Sequence, residues 1–448
     1  MLTRNTPVIS GWLLIGFFLT LIIPKVWAAA PTADHPIDIA PKNSKGVTLT
    51  LKSAVQEALA NNPQLARVRE QAQAMGTKPS QAGALPDPWL NLNAMNLPTD
   101  TYNLDQEAMT QLQIGFQQVI PFPGKRRLRK QAAQHDASAA ATTVNEVRLR
   151  LIRDVKVSWW KLYYLKRALE IVKRNQVLLL QFVKIAETKY KVGRGLMQDV
   201  LLAQVESSKL IDLEIMLIGQ RRKAEVRLIT LLNRQADKSI QLPYKIDDKL
   251  PLAITETVLQ QTAIKNRPLL EVRQSQINAA QTRLDLAKKD RAPDFRVGLA
   301  YGYRQGINPN GSDRADFVSI MFGIKLPLYS RRKQHKAIEQ RGYELNNRHF
   351  ALRGTQLRVQ AEISRAHAAY TQARNHAILL KTGIIPQSRQ TVDSMLAGYQ
   401  VNKVDFLNLV RAQISLYNYE TQYWSALSMA NQAKAELAAA IGKETIDE

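Results

Sequence analysis

The sequence predicts an α+β membrane protein that contains an internal duplication, with long helices and four β-strands in each chain. Two stretches without glycine or proline, Lys125–Val192 and the 43 residues after Gly398, are too long to be anything but helices. Two shorter segments in each half alternate apolar and polar residues, which indicates strands. Because these features occur twice in the same order, the halves are interpreted as repeats.

A constant offset of 209 residues relates the C-terminal helical region to an earlier one. The matching pairs are Tyr190 and Tyr399, Ala203-Gln204 and Ala412-Gln413, Leu228 and Leu437, and Asn233 and Gly442. Upstream, an offset of 205 relates Asn61-Asn62-Pro63 to Asn266-Arg267-Pro268. We therefore predict two structural repeats, residues 48–245 and 246–448, each with a helix pair, a β-hairpin (89–120 and 295–328) and a long helical hairpin. The second helix of the first pair is predicted to run from about Gln64 to Met75.

Residues 1–28 have the features of a secretory signal peptide. Arg4 precedes an apolar run from Gly11 to Ile23, and Val26-Trp27-Ala28 supplies a small-residue cleavage site. A membrane anchor is the alternative, but this run is shorter than the roughly 20 residues that span a bilayer as a helix. Residues 29–47 are a polar, proline-bearing lead-in. Because the chain has no cysteine, it can have neither a disulfide framework nor a lipid on an N-terminal cysteine.

The chain is strongly basic, with 62 Lys and Arg against 38 Asp and Glu and a formal charge of +24. Such a charge commonly indicates binding to nucleic acid, but here the basic residues are spread along helical segments. The cluster at Lys125-Arg126-Arg127 is typical of a solvated helix start. Since the signal peptide also argues against a nucleic-acid binder, we predict no nucleic-acid partner.

The alternating segments put apolar residues on one face and polar or small residues on the other. Strands of about ten residues with this pattern suit a transmembrane β-barrel, because only a closed barrel satisfies every backbone group in lipid. A soluble antiparallel sheet is the alternative. Four strands cannot enclose a water-filled pore, so several copies would have to combine their strands. The polar face would then line the lumen, through Asn91, Asn93, Gln111, Gln113, Arg296, Arg304 and Lys325.

The long helices are predicted to form hairpins. Hydrophobic positions from Leu162 to Tyr190 recur with the coiled-coil period. The chain is expected to reverse at Val192-Gly193-Arg194-Gly195, where glycine supplies a positive φ, and at Asn402-Lys403, since asparagine tolerates the left-handed region. Pro386 predicts a kink. Helix pairs of this length must pack against each other or against other subunits as a tube.

The chain lacks the patterns of catalytic and metal sites. Its six histidines show no pair of ligands on a helix face, and there is no cysteine. It has neither a phosphate-binding glycine loop nor a nucleophile motif. We predict no enzyme activity, no cofactor and no bound metal.

The order of these elements and motifs resembles the TolC-like outer-membrane efflux proteins. The motifs are Leu85-Pro86-Asp87, Pro121-Phe122-Pro123-Gly124-Lys125-Arg126 and Tyr190-Lys191-Val192-Gly193. A further set is similar to the branch that serves heavy-metal pumps of the resistance-nodulation-division type, namely Gly398-Tyr399-Gln400, Lys403-Val404-Asp405-Phe406-Leu407 and Arg411-Ala412-Gln413. The resemblance covers nearly the whole mature chain.

The resemblance implies a homotrimer in outer-membrane lipid, with four strands from each chain in one twelve-stranded barrel and the helices forming a tube through the periplasm. It also implies two partners, a periplasmic adaptor and an inner-membrane resistance-nodulation-division pump, and heavy-metal cations as substrate. A duct for drug efflux or type I secretion is one alternative. A periplasmic coiled-coil scaffold is another.

The resemblance further implies that the tube closes at the helix reversals and meets the adaptor there. The corresponding positions are Tyr190, Gly193, Asp199, Tyr399, Asn402, Asp405, Asn408 and Arg411. Asn402 replaces a common glycine and Arg411 a common acidic residue, so the aperture is expected to be less acidic than usual. We expect Tyr190 and Tyr399 to be equivalent and to pack across subunits, with ordinary coiled-coil packing as the alternative.

Overall fold

The computed structural model describes residues 48–235 and 240–446. The predicted signal peptide and lead-in lie outside the described residues. The first half contains α1 (Leu51–Asn61), α2 (Pro63–Gly83), β1 (Trp89–Met95), β2 (Gln111–Ile120), α3 (Lys125–Lys191) and α4 (Met197–Leu232). The second half repeats this order with α5 (Glu256–Asn266), α6 (Pro268–Lys289), β3 (Phe295–Tyr303), β4 (Phe317–Ile324), α7 (Gln334–Leu379), a π-helical turn (Leu380–Ile384), α8 (Ile385–Gln400) and α9 (Phe406–Ala440).

Helix α3 has 67 residues, which corresponds to a length of about 100 Å. Its basic start is not simply solvated, contrary to the prediction. Lys125 is buried, and its Nζ donates to Asp294 Oδ1 and to the Ala292 carbonyl oxygen, both at 2.8 Å. The first residue of α3 is therefore fixed to the segment that leads into β3.

Two prolines have different effects on their helices. The sequence predicted that α2 would end near Met75, but it continues to Gly83 with Pro79 inside it. Pro79 removes one helical hydrogen bond, but α2 packs along α3, and Arg126 Nε donates to the Gly83 carbonyl oxygen at 3.0 Å. The irregularity predicted at Pro386 is a π-helical turn directly before α8, whose first turn contains this proline.

The strands form one antiparallel sheet in the order β1-β2-β3-β4. Their lengths run from 7 residues in β1 to 10 in β2, so most are shorter than the predicted ten. Strands β1 and β4 are the edges, and neither pairs on its outer side with another described strand. One face of the sheet is apolar and exposed, as Leu92 (74%) and Ile320 (79%) illustrate.

The long helices lie side by side in the order α4, α3, α9, α8, as their contacts show. Helix α1 covers one side of α3, where Ala54 and Ala58 share a core cluster with Val155, Trp159 and Leu228. Helix α5 packs against α7 and α9 in a second cluster around Leu259 and Ile363. Helix α1 therefore does not cover the opposite side of α3.

Candidate aperture at the helix reversals and polar face of the sheet

The two helix reversals have the same backbone geometry. Gly193 and Asn402 have φ of 69° and 60°, in the left-handed region. The Gly193 amide donates to the Tyr190 carbonyl oxygen at 3.0 Å, and the Asn402 amide donates to the Tyr399 carbonyl oxygen at 3.2 Å. Such bonds satisfy carbonyl groups at helix C-termini. Since asparagine adopts this conformation more readily than other non-glycine residues, Asn402 preserves the turn.

Each reversal also brings two positions so close together that one of them must be glycine. A Cβ on Gly195 would lie 2.9 Å from Lys189 Cβ, and a Cβ on Gly398 would lie 2.5 Å from Val404 Cγ2. At the offset of 209, Lys189 corresponds to Gly398 and Gly195 corresponds to Val404. The first half therefore has its glycine at the second of the two positions, and the second half has it at the first. Position 189 can thus carry a long side chain.

Lys189 uses this side chain to connect the two reversals within one chain. Its Nζ donates to the Tyr399 carbonyl oxygen at 2.6 Å and to Asn402 Oδ1 at 2.7 Å. The same nitrogen lies 3.9 Å from the centre of the Tyr399 ring, which is a cation–π contact. Lys189 was not among the aperture residues predicted from the sequence. The signal that could have indicated it is a lysine at a position where the other repeat has glycine.

Tyr190 and Tyr399 hold equivalent positions in the two reversals but have different surroundings within one chain. Tyr399 is 5% exposed and packs on Phe406, with ring centres 5.2 Å apart, whereas Tyr190 is 49% exposed. The residue that corresponds to Phe406 in the first half is Met197, which is itself exposed, and the glycine that corresponds to Lys189 has no side chain. The Tyr399 ring is therefore covered by its own chain.

Two acidic residues lie near this contact, one at the start of each return helix. Asp199 is in the first turn of α4, and Asp405 is the N-cap of α9. Burial raises the pKa of the Asp199 carboxyl group; a backbone hydrogen bond at Leu196 and the charge of Lys189 oppose this shift, and the negative charge of Asp405 adds to it. Asp199, Asp405, Lys189 and Tyr399 thus form one electrostatic cluster.

Three of the other predicted aperture residues do not join this cluster. Gly193 is exposed at its turn, and Asn408 and Arg411 are exposed on α9. Neither of these two α9 side chains forms a hydrogen bond or ion pair with any side chain in the described ranges. The cluster around Lys189 can hold the two helical hairpins together by charge and hydrogen bonding, and these three residues take no part in it.

The strand register puts the predicted lumen positions on a single face of the sheet. Asn93 pairs with Gln113, which pairs in turn with Gly302, and Asn91 pairs with Gly115. Because directly paired residues of an antiparallel sheet share a face, the polar and small positions of all four strands form one continuous surface. On it lie Asn91, Asn93, Gln111, Gln113 and Arg296, and Arg304 and Lys325 follow β3 and β4 with the same alternation.

The basic residues of this face differ in how firmly they are held. The Arg304 guanidinium lies 3.9 Å from the centre of the Phe317 ring, and its Nη1 donates to the Ala108 carbonyl oxygen at 2.9 Å. Arg304 is therefore fixed across the ends of the strands. Arg296 and Lys325 are exposed.

In 48–235 and 240–446, no three His, Asp or Glu side chains are grouped so that they could hold a metal ion. Within the same ranges, no helix combines the length and the apolar character needed to cross a membrane.

The sequence is similar to a known protein family and to a known relative. The profile of the outer membrane efflux protein family matches residues 54–234 and 259–443. The cobalt-zinc-cadmium resistance protein CzcC of Cupriavidus metallidurans is 21% identical over 432 residues, which covers 96% of this chain and 98% of the relative.

Comparison with solved structures gives the fold. The outer membrane protein VceC of Vibrio cholerae has a TM-score of 0.72 at 19% identity, with 88% of this chain and 96% of VceC covered. CusC has a TM-score of 0.74 at 16% identity, with 92% and 99% covered. The MtrE outer membrane channel of Neisseria gonorrhoeae, in its open state, has a TM-score of 0.71 at 16% identity, with 92% and 98% covered.

These likenesses confirm the predicted resemblance to TolC-like proteins, the fold class of long helices with four strands, and the outer-membrane localisation. The family profile matches most of the chain, with one matched segment in each half. The chain therefore belongs to the outer membrane efflux protein family.

Proposed function

We propose that three copies of this protein form the outer-membrane exit duct of a tripartite efflux system, in which a periplasmic adaptor and an inner-membrane resistance-nodulation-division pump deliver heavy-metal cations. The two halves, 48–245 and 246–448, would be repeats that each supply two strands and one helical hairpin. The observation that carries the proposal is the open sheet, which has an exposed apolar face and, among the described strands, no partner on the outer sides of β1 and β4.

An edge-to-edge contact between copies would complete this sheet. The strands alternate in direction from β1 to β4, so β4 of one copy can pair with β1 of the next and the antiparallel order continues. Three copies would give twelve strands. Closure removes every free edge, which a sheet in lipid requires, and puts the exposed apolar residues against the bilayer.

The helical layer also supports contact between copies. Helix α4 is at one edge of the layer, and its exposed residues include Leu201, Val205, Ile215 and Ile218, each more than half accessible. A group of exposed apolar residues on one helix usually marks a contact with another protein. In the proposed trimer it would pack against α8 of the neighbouring copy, at the other edge of the layer.

The proposed substrate is supported by a relative, and the proposed partners follow from the resemblance to TolC-like proteins. CzcC is a cobalt-zinc-cadmium resistance protein and aligns along 96% of this chain. The reversals that Lys189 connects are the counterparts of the closed end implied by the resemblance, and this end would meet the adaptor.

Two measurements test the proposal. Light scattering on the detergent-extracted protein, with the detergent contribution subtracted, should give the mass of three chains, and a monomer or dimer would refute the trimer. Deletion of the gene should increase sensitivity to cobalt, zinc or cadmium, and the wild-type gene should restore resistance. If sensitivity changes only towards large antibiotics, the protein is a drug-efflux duct.

A further inference from the structure

The side of α3 that faces away from α1 carries a basic groove. Val155 and Trp159 of α3 pack in the core cluster with α1, and helical spacing places Arg150, Val157 and Lys161 on the opposite side. Three cavities of about 600, 520 and 580 Å³ lie along that side. The first two share Val157, and the last two share Arg153 and Arg267, so together they form one continuous groove.

The groove has a strong excess of positive charge. Nine Lys and Arg residues line the three cavities against four Asp and Glu. Among the described residues, no carboxylate lies within ion-pair distance of Arg227, Arg358 or Arg365, although all three line the groove. The groove therefore accounts for part of the basic character of the chain, and its positive charge is concentrated in a concave surface that focuses the electrostatic field.

A buried arginine lies where the second and third cavities meet. Arg267 is 5% exposed and lines both. Its Nη2 donates to Glu146 Oε1 at 2.9 Å, and Glu362 lies 3.8 Å away. Its Nε has no hydrogen-bond partner among the described residues. Its Nη1 donates to the Ala439 carbonyl oxygen. Arg267 is therefore a firmly held positive charge between the two cavities, partly offset by Glu146 and Glu362.

We propose that this groove is a binding site for soluble multivalent oxyanions. Guanidinium groups match oxyanions in shape and in hydrogen-bond geometry, and the groove presents several of them around Arg267. Arg358 and Arg365, seven residues apart on α7, lie on either side of Glu362 in the sequence and form no ion pair with a carboxylate among the described residues. Binding requires only the folded chain; the further step, that anions are held inside the duct beside the transported cations, rests on the proposed function.

Isothermal titration calorimetry of the full protein in detergent, with inorganic pyrophosphate at about 0.15 M ionic strength, where the Debye length is about 8 Å, tests this site. The double variant Arg358→Gln/Arg365→Gln should bind at least about tenfold more weakly than wild type, which is the scale of one charge-assisted hydrogen bond. The control Lys184→Gln/Lys191→Gln removes the same charge from exposed positions near the other end of α3, more than 30 residues from the groove residue Arg153. It should change the affinity by no more than about twofold, because salt screens distant surface charges.

Three outcomes would overturn the proposal: no pyrophosphate binding to wild type, equal affinity of wild type and groove variant, or an equal loss in the control. Circular dichroism melting checks that both variants are folded. Because calorimetry reads binding and not transport, its result is independent of the tests of the efflux function.

Discussion

The ammonium nitrogen of Lys189 lies 3.9 Å from the centre of the Tyr399 ring and donates to the carbonyl oxygen of the same tyrosine. Lys189 is at the end of α3 and Tyr399 at the end of α8, so this contact joins the two helical hairpins within one chain. If the reversals close the duct, opening must separate these groups or move them together.

Lys189→Ala should weaken the closed state. The substitution removes a cation–π contact and two hydrogen bonds, worth about 1 kcal/mol in total at a partly exposed site. Single-channel conductance in planar bilayers should therefore rise. Lys184→Ala is the matched control, since Lys184 is an exposed lysine on the same helix. Equal conductance of both variants would mean that the constriction lies elsewhere.

Gly398→Ala should destabilise the second reversal. The new Cβ would lie 2.5 Å from Val404 Cγ2, and overpacking of this kind costs about 1–3 kcal/mol. Adding Val404→Gly should restore stability, because it reproduces the arrangement of Lys189 and Gly195. Urea unfolding of the two single variants and the double variant measures the coupling. Simple additivity would show that the two positions do not clash. Gly342→Ala, with open space around its Cβ, is the control and should not destabilise.

Ile320→Lys and Ser319→Lys test which face of the sheet meets lipid. Ile320 is on the apolar face and Ser319 on the polar face of β4. A lysine on a lipid-facing strand position costs about 2–4 kcal/mol at the bilayer midplane, so Ile320→Lys should reduce the amount of protein in the outer membrane. Ser319→Lys should insert normally. The reverse result would invert the face assignment.

Asp199→Asn should stabilise the protein more at neutral than at acidic pH. Burial raises the pKa of Asp199 above its usual 3.8, so the folded chain holds this proton more tightly than the unfolded chain. Stability is therefore lost as pH rises from 3.8 through the folded-state pKa, and the asparagine variant avoids that loss. Thermal unfolding at pH 3.5 and pH 7 measures the difference. Asp393→Asn, at an exposed position on α8, is the control; a gain that is equal at both pH values would contradict this expectation.

The sequence predicted the features that depend on local pattern. The reversals at Gly193 and Asn402 were found because a positive φ restricts residue choice, and the two faces of the sheet followed from alternation. The environments of Tyr190 and Tyr399 could not be predicted, because they depend on Lys189 and Phe406 across helices. The predicted end of α2, near Met75, was wrong because packing against α3 outweighs the local effect of Pro79.

The free outer sides of β1 and β4, among the described strands, would allow rings of different numbers of copies to form. Pairing of β4 with β1 of a neighbour is the same local contact in a ring of two, three or four copies, so the strands alone cannot define the number of copies. The diameter of a closed sheet follows from the number of strands, and the helices of the copies would have to fit the same diameter. In the proposed assembly, the outer surfaces of α4 and α8, far from the strands, would therefore select the number of copies.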